Sequence, residues 1–157
     1  MPRETFHIEG LKEIGDDLAE LPRAVRRDVL VRVLTEQGEP IRAEGERLAP
    51  RLTGALANSY TISQKLSPRQ KSLNHKDSYV EVYIGPGAMA ENIQTEFGNA
   101  HQAAEPHLRP AWDRNKLRVL NGITTTLGDA IAKERKRLAR KNDAIISRVE
   151  RIKPVTI

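Results

Sequence analysis

The chain of 157 residues contains no cysteine, which excludes disulfides, thiol nucleophiles and thiolate metal sites. Aromatic residues are almost as scarce: Phe6, Tyr60, Tyr79, Tyr83, Phe97 and Trp112 are all there are. A platform that stacks single-stranded nucleic acid needs several exposed rings on one sheet, so that class is disfavoured. No apolar run approaches the roughly 20 residues of a membrane helix, and the first residues lack the apolar centre of a secretory leader. The chain is therefore expected in a cytoplasm, with no membrane partner. Phosphate-cradling glycine loops are missing too. Gly85-Pro86-Gly87 puts a proline, which has no amide donor, where a cradle needs one, and reads as a turn.

What is present is charge. Charged residues make up 30% of the chain and hydrophobic ones 38%, a lean core for one domain that can bury roughly 70% of its unfolded surface. Residues 133–153 hold nine basic and three acidic groups, a net +6, while the remainder holds 17 basic and 18 acidic. All the excess positive charge thus sits near the C-terminus, a pattern expected of a segment that meets an acidic partner or nucleic acid. Single lysines and arginines there equally suit a solvated helix face.

Residues 5–10 read as a short strand, and Leu11, Ile14, Leu18 and Leu21 form the apolar stripe of a helix over 11–20. A second helix opens at Pro22, with Val25, Val29, Val33, Ile41 and Leu48 in a stripe, and Gly38 and Pro40 predict a kink or a division into two helices. Alternation at Leu56, Asn58, Tyr60 and Ile62, and again over 79–84, predicts two antiparallel strands. The polar, basic segment 63–78 between them is too long for a tight turn and is expected to be an interaction arm or a surface loop, with Lys65, Arg69, Lys71 and Lys76 as its cations. A short helix over 88–98 stops at Gly98, and a long one starts at Pro110 carrying Trp112, Val119, Leu127, Ile131 and Leu138 at helical spacing. Beyond residue 140 the chain is expected to leave the body. The fold class is α+β: a small antiparallel sheet with a long basic hairpin, packed against a long kinked N-terminal helix and a long C-terminal helix. Residues 1–140 make one domain and 141–157 a basic extension.

Enzyme chemistry finds no support in this pattern. His7, His75, His101 and His107 show no metal-ligand spacing, Ser59 and Ser63 lack a glycine-framed nucleophile turn, and carboxylates such as Glu91 and Glu96 have no visible partner in acid–base work. No catalytic, metal-binding or cofactor-binding residue is assigned, and no cofactor is expected.

Three segments in order carry a resemblance: Leu48-Ala49-Pro50-Arg51-Leu52-Thr53-Gly54-Ala55-Leu56-Ala57-Asn58-Ser59, then Val82-Tyr83-Ile84-Gly85, then Thr95-Glu96-Phe97-Gly98-Asn99 leading into Glu105-Pro106-His107-Leu108-Arg109-Pro110-Ala111-Trp112. Together they resemble the neck proteins of long-tailed bacteriophages, described as head-to-tail joining, tail-completion or minor tail components. In that family an Ala-Pro-x-x-Thr-Gly-x-Leu-x-x-Ser run ends a long helix, Glu-Phe-Gly follows a strand, and Pro-Phe-Leu-Arg-Pro-Ala opens the last helix. The resemblance covers about residues 5–135. His107 stands where the family usually has phenylalanine, Asn99 where it has threonine, and the basic tail lies outside it.

The resemblance implies a virion protein of the head-tail connector, assembled in a bacterial cytoplasm as a ring of six-fold or twelve-fold symmetry. Its partners would be further copies of itself, head-closure, tail terminator or tail tube proteins, and the DNA in the channel. A tail terminator ring and a small basic nucleic-acid-binding protein are the alternatives. Motif residues are Pro50, Thr53, Gly54, Glu96, Phe97, Gly98, Leu108 and Pro110. Thr53 and Gly54 are expected to turn the chain toward the first strand, and Phe97 to anchor its helix in the core. Arg109 is expected to pair with Glu96 or a neighbouring subunit's acid, or to solvate the surface. Interface or DNA-facing candidates are the hairpin cations with Lys133, Arg135, Lys136, Arg137, Arg140 and Lys141.

Overall fold

The computed structural model describes residues 11–76, 78–87 and 91–150. Helices α1 (Leu11–Ala19) and α2 (Arg23–Leu48) are followed by α3 (Ala55–Asn58), strand β1 (Thr61–Ser63), α4 (Pro68–Leu73), strand β2 (Tyr83–Gly85), α5 (Glu91–Phe97) and the 43-residue α6 (Leu108–Glu150). The α+β class holds: the described residues are mostly helix, with one two-stranded antiparallel sheet among them and a long C-terminal helix. The strand expected over 5–10 lies outside the described residues.

Two compact units divide the chain, a central one over Leu30–Ile123 and a terminal one built from the residues up to Val29 and from Thr124 on. The boundaries fall inside α2 and α6, and α6 passes residue 140 without a break.

In the terminal unit, Leu21, Val29, Leu127, Ala130 and Ile131 are buried. The end of α1 is closed by Arg26, whose guanidinium donates to the carbonyls of Ala19 (2.6 Å) and Leu21 (3.1 Å). Arg135 reaches Asp17 at 2.8 Å and also pairs with Glu20, tying α1 to α6.

In the central unit α2 runs unbroken through Pro40, so it does not divide there. The helix tolerates the proline because the turns on either side are pinned by packing. Ile41 is buried with Ala111 and Val119 of α6, and Gly38 and Gly45 bring the α2 backbone close to its neighbours. A Cβ on Gly38 would lie 2.8 Å from Ile84 Cδ1, and one on Gly45 only 2.3 Å from the Tyr60 ring. A second cluster joins Ala49, Leu56, Ala57 and Tyr60.

The sheet is smaller than the alternation suggests. Ile62 pairs with Ile84, Thr61 with Gly85 and Ser63 with Tyr83, and residues 79–82 are not strand. Leu56 and Asn58 are helical, not extended. Gly54 takes a left-handed φ of 73°, the Thr53 hydroxyl accepts from Ala55 N–H at 3.3 Å, and Ala-Leu-Ala-Asn then closes one helical turn. The arm over 63–78 is also not a plain loop, since it contains α4, started by a reciprocal cap: Gln70 N–H donates to Ser67 Oγ (3.3 Å) and Ser67 N–H to Gln70 Oε1 (3.0 Å).

Candidate functional site

The resemblance-bearing segments meet at the start of α6. Glu96 sits on α5, whose end is set by Gly98 with φ 74°, where an added Cβ would meet Ala104 N at 2.9 Å. That turn, reinforced by Glu105 N–H donating to the Thr95 carbonyl at 2.8 Å, brings the chain back so that residues 107–109 face Glu96. The carboxylate, 6% exposed, accepts the backbone N–H groups of His107 (2.8 Å), Leu108 (2.9 Å) and Arg109 (3.0 Å). The next residue is Pro110, which has no N–H. All the amides that a helix start ordinarily leaves unpaired are therefore either held by one carboxylate or absent. Helix α6 consequently begins at Leu108, two residues before the position that Pro110 marks in the sequence.

Arg109 pairs with Glu96 as one of its expected alternatives. Its Nε donates to Glu96 Oε1 at 3.0 Å and its Nη2 to the Glu96 carbonyl at 2.7 Å. Burial pushes the Glu96 carboxyl up, but the three amides and Arg109 outweigh it and hold the group down at about 2.

Phe97 is not the core anchor expected from the sequence. It is 62% exposed and serves as a platform for the Arg109 guanidinium, which lies 4.6 Å from the ring centroid. Its neighbours Thr95 and Glu96 are buried instead, because the capping contacts turn that side of α5 inward. Trp112 likewise stays 48% exposed while Ala111 fills the core position.

Sequence reasoning missed the centre of this knot. His107 is fully buried, edge-on to Tyr60, and its Nδ1 shares a hydrogen bond with the Tyr60 hydroxyl and lies 3.6 Å from Glu96 Oε2. Burial lowers the imidazole's proton affinity, with Glu96 opposing, and burial together with Glu96 raises that of the Tyr60 hydroxyl, so both are neutral near pH 7. Ser59 was also missed as a tie: its carbonyl and hydroxyl oxygens both accept from Gly87 N–H, at 3.1 and 3.2 Å. This fastens the Gly-Pro-Gly turn to the Pro50–Ser59 motif.

Beside the knot, Ile41, Val82, Ile84, Leu108 and Trp112 line an apolar hollow of about 470 Å³ with Arg109 and Asp113 at its rim. On the hairpin arm, Lys65, Lys71 and Lys76 are brought together around a second hollow of similar size with Asn74 and Tyr83, while Arg69 lies on α4.

The C-terminal cations divide. Arg135 pairs with Asp17 and Glu20 and is half-buried. Arg137 pairs with Glu134 at 3.0 Å but remains exposed, as do Lys133, Lys136, Arg140 and Lys141. Among the described residues no group of three or more acidic or histidine side chains is placed to hold a metal, and no helix is long and apolar enough to cross a membrane. No family model, curated protein or solved structure matches the chain.

Proposed function

We propose that the protein is a structural subunit of the neck of a long-tailed bacteriophage, one copy of a ring joining the portal, adaptor or head-closure assembly of the capsid to the tail. The reading rests on the order and spacing of the three resembling segments, and it gives the chain no catalytic step. Its role is mechanical: Thr53 and Gly54 turn the chain, Ser59 ties the strand end, and Glu96 fixes the start of α6.

The observation that carries the assembly is the apolar surface that the central unit leaves in water around these same motifs. Leu52 is 98% exposed, Ile93 64%, Phe97 62%, Leu117 60% and Trp112 48%. A ring would cover such side chains, since every head-to-tail contact buries two different patches of each copy.

Native mass spectrometry and negative-stain microscopy of the purified protein, alone and mixed with capsid connectors or tails, test this. Closed rings of six-fold or twelve-fold symmetry are expected, alone or on the connector. Leu52→Asp should leave the melting temperature unchanged, since the side chain is already solvated, and abolish the rings. A protein that stays monomeric and joins neither particle sinks the reading.

A further inference from the structure

We propose that the outer face of α6 from Lys133 to Arg148 is a binding surface for the phosphate backbone of duplex DNA, engaged without sequence preference. Lys133, Lys136, Arg137, Arg140 and Lys141 stand at steps of three and four residues, the spacing that puts side chains on one side of a helix, and Arg148 continues the row seven residues after Lys141. All six are exposed. The buried Leu127 and Ile131 lie away from Lys133, Lys136 and Arg140, whereas the buried Ala130 and Glu134 border the row at Arg137 and Lys141. Solvated helices ordinarily mix charges of both signs. Here six cations face three acids: Asp129 one turn before Lys133, Glu134 already paired with Arg137, and Asp143 at the margin of the row.

The density of charge selects the ligand. Lys133 to Lys141 spans about 12 Å at 1.5 Å per residue, and B-DNA presents about seven phosphates over that length of axis. An acidic helix offers only one or two carboxylates per turn to a facing surface, about two to four over the same distance. Among the described residues the terminal unit carries no Phe, Tyr or Trp ring on which a base could stack. The surface stands on the helix face alone and does not depend on the assembly proposed above.

Fluorescence anisotropy of the full chain with two unrelated duplexes of about 30 base pairs, titrated from 50 to 200 mM salt, tests the proposal. The two sequences should bind equally. With about five cations engaged, the log–log salt slope should lie between about −4 and −5, a loss of a few hundred-fold across that range. Replacing Lys133, Lys136, Arg140 and Lys141 by Gln should weaken binding at least about 100-fold and flatten the slope to about −1, with unchanged circular dichroism. Lys136→Gln with Arg140→Gln alone should give about half the change in slope, which keeps the test open if the quadruple variant folds poorly. The same charge removed from the exposed Lys12, Arg32, Arg51 and Arg118 should cost less than about five-fold. Equal losses in the two quadruple variants, a wild-type slope shallower than about −2, no binding at 50 mM salt, or tighter binding to single strands, polyglutamate or anionic vesicles at matched salt would each overturn it.

Discussion

Glu96 and His107 touch the same few atoms, yet acid acts on them in different windows. Glu96 is held at about 2 in the folded chain against an ordinary value near 4.5, so its contribution is complete above pH 4.5 and is withdrawn as pH falls toward 2. The shift corresponds to about 3 kcal/mol. His107 has its proton affinity lowered by burial, so below its ordinary value of about 6.5 the unfolded chain takes up a proton that the folded chain refuses. Stability should therefore be flat above about pH 7, decline gently from about 6.5, and fall steeply below about 4.5. In urea unfolding across pH, His107→Phe should remove the gentle limb and keep the steep one, and Glu96→Gln should flatten the steep one. A wild-type protein as stable at pH 3 as at pH 7 contradicts this account. The Glu96–Arg109 pair was legible because both residues belong to motifs a few positions apart. The Tyr60–His107 contact was not, because 47 residues separate the partners and no local spacing connects them.

At the scale of elements, the ends of helices were more readable than their interiors. The stop of α5 at Gly98 is written in its φ of 74°, and the start of α4 in Ser67-Pro68-Arg69-Gln70, a capping signature that the length and polarity of the arm masked. Inside α2, by contrast, glycine suggested weakness where it marks close approach. In a helix interior alanine is favoured over glycine by about 0.5–1 kcal/mol, but overpacking costs about 1–3 kcal/mol, and at Gly45 the Tyr60 ring makes the second effect the larger. Gly45→Ala should thus destabilise by about 1–3 kcal/mol in urea unfolding. Gly128→Ala, where nothing lies within 4 Å of an added Cβ, should stabilise by up to about 1 kcal/mol. Variants that change stability in the same direction would refute this contrast. The short strands have a related explanation: residues 55–58 and 79–84 alternate well enough to read as extended, but the left-handed turn at Gly54 commits the first of them to a helix and only Tyr83–Gly85 of the second finds a partner strand.

For the molecule as a whole, periodicity placed α1, α2, α5 and the start of α6 within a few residues. Which cations are spent inside the fold could not be read, since Arg135 meets Asp17 across 118 positions. The capping of α6 has a consequence for the order in which the chain folds. Glu96 lies only 11 to 13 residues upstream of the amides it holds, and loops of that length close within about 10–100 ns, whereas the tyrosine contact must wait for a far larger loop. Trp112, the sole tryptophan, stands in the opening turns of α6 and reports on that corner. In stopped-flow fluorescence, Glu96→Gln should chiefly slow refolding and Tyr60→Phe chiefly hasten unfolding, the signature of a nucleus laid down locally and locked afterwards from a distance.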